Sequence, residues 1–205
     1  IDYYLSSDLM EPDDAQAHYT EKLIRLPNLG FSYPKPSLPI GRKQRTDLGL
    51  PEDAVIYLCC QTLHKYLPQY DYIFPRIADR VPKAKFVFLA NRSPYITDRF
   101  YQRLDKAFSS AGLNGQDSCI FLPSLNWQDY LSLNLLSDIF LDSFDWSGGN
   151  SSLEAIACGL PVVTYPGKFM RGRHSYAFLQ AMGIPETIAR NEVEYIDIAI
   201  KLGRD

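Results

Sequence analysis

Residues 139–154 read Ile139-Phe140-Leu141-Asp142-Ser143-Phe144-Asp145-Trp146-Ser147-Gly148-Gly149-Asn150-Ser151-Ser152-Leu153-Glu154. An apolar run of strand character ends at Asp142 and two glycines follow. Leu153, Ile156 and Ala157 then share a helical face that stops before Gly159. A strand that turns through glycine into a helix is the repeating unit of parallel sheets, because parallel neighbours need a crossover and a helix usually supplies it.

The same alternation extends in both directions. Strand candidates are Val55 to Cys59, Phe86 to Ala90, Cys119 to Leu122, Ile139 to Leu141, Val162 to Thr164 and a weaker one at Thr187 to Ala189. Most are continuous apolar runs, as expected where helices cover both faces of a sheet. Between them, Phe100, Leu104, Ala107, Phe108 and Ala111 fall on one helical face before Gly112, and Tyr176, Leu179 and Met182 precede Gly183. Asn191 and Glu194 form a capping pair ahead of Val193, Ile196 and Ile200. Pro75, inside the helical stretch Tyr70 to Val81, requires that helix to start near Asp71 so that proline falls in its first turn. The expectation is an α/β fold, a Rossmann-like doubly wound parallel sheet over residues 51–205. Residues 1–50 differ: a strand-like start at Ile1 to Leu5, a short helix around Asp14 to Lys22, then Pro27, Pro34, Pro36 and Pro39. They read as a connecting segment that opens with the last strand of a preceding domain.

Composition narrows the function classes. With 205 residues, 46% hydrophobic and 13% aromatic, the chain can bury a core, which excludes disorder. Lys plus Arg is 21 against 24 for Asp plus Glu, so there is no global basic surface for nucleic acid. Apolar runs such as Ala54 to Cys60 fall far short of the roughly 20 residues that cross a bilayer, and no signal stretch opens the chain, so no membrane partner is expected. Cys59, Cys60, Cys119 and Cys158 sit in apolar contexts and read as free thiols of a reducing, cytoplasmic compartment. His18, His64 and His174 are scattered and no CxxC or HExxH occurs, so no metal site is expected.

Ligands of an open parallel sheet bind at the carboxyl ends of its strands, which directs attention to four loops. The first, Gln61-Thr62-Leu63-His64-Lys65, offers an amide, a hydroxyl and an ammonium to an anion, or is simply solvated. In the second, Gly148 and Gly149 permit close backbone approach, and Asn150, Ser151 and Ser152 cap or donate. The helix terminus there attracts anions, and Glu154 one turn later is placed for ribose hydroxyls. The rival reading is an ordinary strand-to-helix turn; no GK[ST] or GxGxxG is present. The third places Trp127 and Tyr130 three apart on one helix face, either flanking a flat base or packing in the core. The fourth gathers Lys168, Arg171, Arg173 and His174 before a helix, as a phosphate-neutralising cluster or a surface loop.

Gln61 to Lys65 and Leu141-Asp142 through Gly148-Gly149-Asn150-Ser151-Ser152, with Gly49-Leu50-Pro51-Glu52-Asp53, Gly159-Leu160-Pro161-Val162-Val163-Thr164, Pro166-Gly167 and Glu194-Tyr195 to Lys201-Leu202-Gly203, resemble the C-terminal catalytic half of the O-linked N-acetylglucosamine transferase and SPINDLY family, which are GT-B glycosyltransferases. The resemblance covers nearly the whole chain. It implies a nucleotide-sugar-binding domain that moves N-acetylglucosamine from UDP to Ser or Thr of an acceptor protein, with inversion and with neither metal nor cofactor. It places Lys65 on the diphosphate as the group that stabilises departing UDP, with Gln61 and Thr62 alongside. Gly148, Gly149, Asn150, Ser151 and Ser152 form the phosphate turn, and Glu154 binds the ribose. Trp127 and Tyr130 stand beside the base, where the family carries lysine and histidine. It also implies an N-terminal catalytic half with a catalytic histidine and tetratricopeptide repeats, outside these residues, without which turnover is not expected. GDP-fucose or UDP-glucose as donor, and a non-catalytic scaffold of the same fold, remain alternatives.

Overall fold

The computed structural model describes residues 1–38 and 43–205 and opens with two strands, β1 (Tyr3–Ser7) and β2 (Lys22–Leu26). They pair in parallel, Tyr3 opposite Lys22 and Ser7 opposite Leu26. The helix expected around Asp14 to Lys22 is only a 3-10 turn, Ala15–His18, and Lys22 begins a strand instead. The Gln16 side chain closes that turn, accepting from the Leu23 amide and donating to the Glu21 carbonyl, each at 2.9 Å. The following residues are thereby extended alongside β1. Pro39 of the proline-rich stretch lies outside the described residues.

The main body alternates as its apolar pattern dictates: β3 (Val55–Cys59), α1 (Ile73–Arg80), β4 (Ala84–Leu89), α2 (Pro94–Ser110), α3 (Gly115–Ser118), β5 (Cys119–Leu122), α4 (Trp127–Leu136), β6 (Ile139–Leu141), α5 (Asn150–Ala157), β7 (Val162–Val163), α6 (His174–Met182) and α7 (Glu192–Leu202). All five strands of this sheet are parallel, in the order β5-β4-β3-β6-β7. Pro75 falls in the first turn of α1, where its missing amide costs nothing. β4 starts two residues before Phe86, at Ala84. The expected strand at Thr187 to Ala189 is reduced to one bridge between Ile188 and Thr164. The Ile188 amide is taken by the Pro185 carbonyl in a turn, which leaves too few free groups for a ladder.

Alternate strand residues feed two apolar layers. Tyr57, Phe86, Phe88 and Leu141 pack with Phe74 and Ile77 of α1, Leu104 and Phe108 of α2, and Tyr195 and Ile200 of α7. Ile56, Leu58, Val87 and Phe140 face Leu133 of α4 and Ala155 of α5. The helix stops at Gly112 and Gly183 adopt φ of 75° and 70°, the left-handed conformation in which glycine alone is unstrained. Asn191 accepts from the Glu194 amide, whereas the Glu194 carboxylate reaches the Arg190 amide, so the reciprocal half of the cap is displaced by one residue.

After β5 the chain returns to the opposite side of β3 to lay down β6. The strand order therefore reverses between β3 and β6, the position at which loops diverge and leave a crevice in doubly wound sheets. The N-terminal segment packs beside that crevice: Met10 is buried against Ala177 and Phe178, and Arg173 Nε donates to the Met10 carbonyl at 2.9 Å.

Candidate functional site

The two loops leaving β3 and β6 meet at Asp142. This carboxylate, 4% exposed, accepts from the Gly148 amide (2.7 Å), the Ser147 hydroxyl (2.6 Å), the Thr164 hydroxyl (2.8 Å) and Gln61 Nε2 (3.3 Å). A buried carboxylate satisfied by several donors holds its neighbours in one geometry, because losing any bond leaves charge unpaired in a poorly solvated place. Asp142 thus ties the glycine turn to β3 and β7. Behind it the Ser175 amide donates to the Ser147 hydroxyl oxygen at 2.9 Å, and the Ser175 hydroxyl donates to that of Ser152 at 2.7 Å. The Tyr66 hydroxyl donates to Gln61. The side chains of Gln61 and Ser152 are therefore engaged inside the turn, while Thr62 stands exposed at the start of the 3-10 turn Leu63–Lys65.

Gly148 is where the backbone is tightest. A Cβ there would lie 2.3 Å from Ser152 Oγ and 2.8 Å from Ser151 Oγ, whereas one at Gly149 would meet no protein atom within 4 Å. Gly149 thus opens onto free space at the head of α5. The amides of Gly149, Asn150 and Ser151 have no acceptor among the described residues, and the helix dipole adds partial positive charge to them. Lys65 completes the cationic rim. Its Nζ donates to the Ser147 carbonyl at 2.8 Å and lies 5.8 Å from the centre of the Trp146 ring. Burial lowers its pKa and the Asp142 carboxylate works in the opposite direction.

One turn along α5, Glu154 is buried near the Tyr130 hydroxyl and accepts from the Tyr33 hydroxyl at 3.4 Å. Desolvation raises its pKa, while hydrogen bonds from Tyr130 and Tyr33 oppose the rise. The Tyr130 hydroxyl also lies 3.3 Å from Cys60 Sγ. Trp127 and Tyr130 stack with ring centres 6.0 Å apart, Trp127 exposed and Tyr130 half-buried, so this pair forms one wall at the edge of the site.

The four basic residues of the fourth loop separate. Arg173 is committed to the Met10 carbonyl and the Tyr176 ring, Arg171 lies over Phe169, and Lys168 is exposed. Only His174 turns toward the crevice. It opens α6 with Nε2 at 3.2 Å from Met170 Sδ; burial lowers its pKa, against the pull of Asp142. A cavity of about 300 Å³ lies here, with Gly149, Asn150 and His174 on one side and Ser6, Ser7 and Phe31 on the other. Among the described residues no three His, Cys, Asp or Glu side chains converge to hold a metal ion, and no helix is long and apolar enough to cross a membrane.

Two contributors escaped sequence reasoning. Asp142 stood inside the quoted motif, but an acid at a strand end carries no mark of the donors it will collect. Tyr33 lies 121 residues from Glu154 in a proline-rich stretch, and nothing local connects them.

Residues 34–205 match the family model described as glycosyl transferase family 41. The chain is 28% identical over 207 residues to the probable UDP-N-acetylglucosamine–peptide N-acetylglucosaminyltransferase SPINDLY of Solanum lycopersicum, with 100% of this chain and 22% of that protein covered. To the corresponding protein SEC of Arabidopsis thaliana it is 26% identical over 209 residues, covering 98% of this chain and 21% of that protein. It therefore spans about a fifth of the length of these relatives (22% and 21%). Among solved structures, a point mutant of the Thermobaculum terrenum O-GlcNAc transferase superposes with a TM-score of 0.84 at 30% identity, covering 100% of this chain and 38% of that one. The S. aureus protein TarM shares the fold, with a TM-score of 0.61 at 13% identity over 98% of this chain and 36% of its own.

Proposed function

The chain belongs to glycosyl transferase family 41, and from that premise we propose that it is the donor-binding half of a protein O-glycosyltransferase, one that carries N-acetylglucosamine from UDP to Ser or Thr hydroxyls with inversion and without a metal. The observation that carries this reading is the convergence, at the strand-order reversal, of the Lys65 ammonium with the unpaired amides of Gly149, Asn150 and Ser151. A diphosphate needs such a place: fixed N–H donors and a helix terminus for its oxygens, and a mobile cation for the charge that develops as the glycosidic bond breaks.

In this mechanism Lys65 leaves the Ser147 carbonyl for the diphosphate, so its charge stabilises departing UDP more than the bound donor, which is the condition for lowering the barrier. Glu154 accepts from the ribose hydroxyls, for which the Tyr33 hydroxyl now substitutes. Trp127 and Tyr130 present apolar ring surface to the base. Asp142 contacts no substrate and acts by keeping Gly148 and Ser147 in place. The acceptor hydroxyl and the base that deprotonates it belong to the other catalytic half, so this chain alone binds the donor and does not turn it over.

The test is a calorimetric titration with UDP, GDP and UDP-N-acetylglucosamine, run on the chain and on Lys65→Ala. The reading expects the uridine nucleotides to bind and the variant to bind them more weakly. Preference for GDP would move the donor to a guanosine sugar such as GDP-fucose. Failure of every nucleotide to bind the folded chain would overturn the donor-site assignment in favour of a scaffold.

A further inference from the structure

Away from the crevice, a groove of about 730 Å³ runs between residues 63–68 and the outer face of α2. Its floor is apolar, with Leu63, Tyr66 and Phe100 buried beneath it and Leu67 and Ile96 half-buried along it. Its rim is basic. Arg99, Arg103 and Lys106 occupy successive turns of α2, His64 stands opposite, and among the described residues no carboxylate lines the groove; Asp98 and Asp105 of the same helix lie outside it. Tyr95, 69% exposed, closes one end.

We propose that this groove is a docking surface for an acidic, leucine-bearing segment of a partner protein. The cations are not equivalent. Arg103 is held by Asp71 in an ion pair at 2.6 Å, donates to the Tyr66 carbonyl and stacks over Phe100, so it is part of the wall. Arg99 and Lys106 have no carboxylate partner among the described residues. Seven residues of helix separate them by about 10 Å, the reach of about three residues of extended chain. An extended segment with acidic side chains at that spacing would pair with both while its apolar side chains cover Leu67, Ile96 and Phe100. Charge argues for acid on the partner. In a chain whose net charge is −3, a cationic rim free of carboxylates repels basic sequences and gains from acidic ones, and the apolar floor favours peptide over a solvated phosphate backbone. The surface stands independently of the transferase reading, since no residue assigned to the donor lines it.

The test is fluorescence anisotropy with a short fluorescein-labelled peptide of repeated Glu-Leu-Leu units, which sets glutamates three residues apart with leucines between them, added to the 205-residue chain and to the double variant R99E/K106E. Both substituted positions are exposed, and unchanged circular dichroism and Tm confirm that the variant is folded. The proposal expects saturable binding that is about tenfold weaker when serine replaces glutamate, about tenfold weaker in the variant, and weaker with added salt. Absence of binding by the glutamate peptide, equal binding of the serine peptide, indifference to R99E/K106E, or tighter competing binding of a uridine oligonucleotide would each overturn it.

Discussion

The ammonium of Lys65 donates to the carbonyl of Ser147 at 2.8 Å, across 82 residues of sequence. The bond joins the loop after β3 to the turn after β6 and stores the cation beside the helix terminus with a neutral partner. A cation paired with a carbonyl is released more readily than one paired with a carboxylate, because a charge-assisted bond between two ions is stronger.

Lys65→Ala should therefore leave Tm within a few degrees of the parent while weakening UDP. One hydrogen bond to a charged group contributes about 1.5–3 kcal/mol, or about 10- to 100-fold in Kd. Calorimetry checks both halves, and UDP affinity equal to the parent's would remove Lys65 from the diphosphate.

The adjacent glycines should fail in different ways. Gly148→Ala forces a methyl group against the hydroxyls of Ser151 and Ser152 and should lower stability by about 1–3 kcal/mol with no ligand present. Gly149→Ala places its methyl group in open space, so it should lower stability less than Gly148→Ala while weakening nucleotide binding, the methyl group taking space of the diphosphate. Thermal melts with and without UDP separate the two.

Asp142→Asn keeps the shape but turns an acceptor of four donors into a group with its own hydrogens facing the Ser147 and Thr164 hydroxyls. Losing a hydrogen bond to a charged acceptor costs about 1.5–3 kcal/mol. Denaturant unfolding should show a loss of that order, and hydrogen exchange at the Gly148 amide should accelerate.

Glu154 supplies a pH signature. Its folded pKa is raised by desolvation, so the folded state holds this proton more tightly than the unfolded chain. The carboxyl is least costly to the fold below its unfolded pKa and becomes a penalty as pH rises through the folded value. Glu154→Gln should raise Tm at pH 7 by about 2–4 °C, as expected for roughly 1 kcal/mol in a chain of this size, and change it little at pH 4. The same variant should bind UDP more weakly, since an amide accepts ribose hydroxyls less well than a carboxylate.

Strand positions, helix stops and the glycine turn after β6 were legible along the chain because each is a local property. Apolar runs, the helical repeat and glycine at left-handed φ depend on residues within a few positions of one another. Thus Ile139 to Leu141 and the stop at Gly183 coincide with the folded elements. What is built from chain-distant groups was not legible. Lys22 to Leu26 became a strand because β1 offered a parallel edge, and Thr187 to Ala189 lost most of its ladder to a turn at Pro185. Gln61 reached Asp142 across 81 residues, and Tyr33 covered Glu154 across 121. Such contacts depend on which strands lie side by side. Only tertiary structure sets that order, because the free energy of a buried hydrogen bond depends on whether a distant partner arrives to satisfy it.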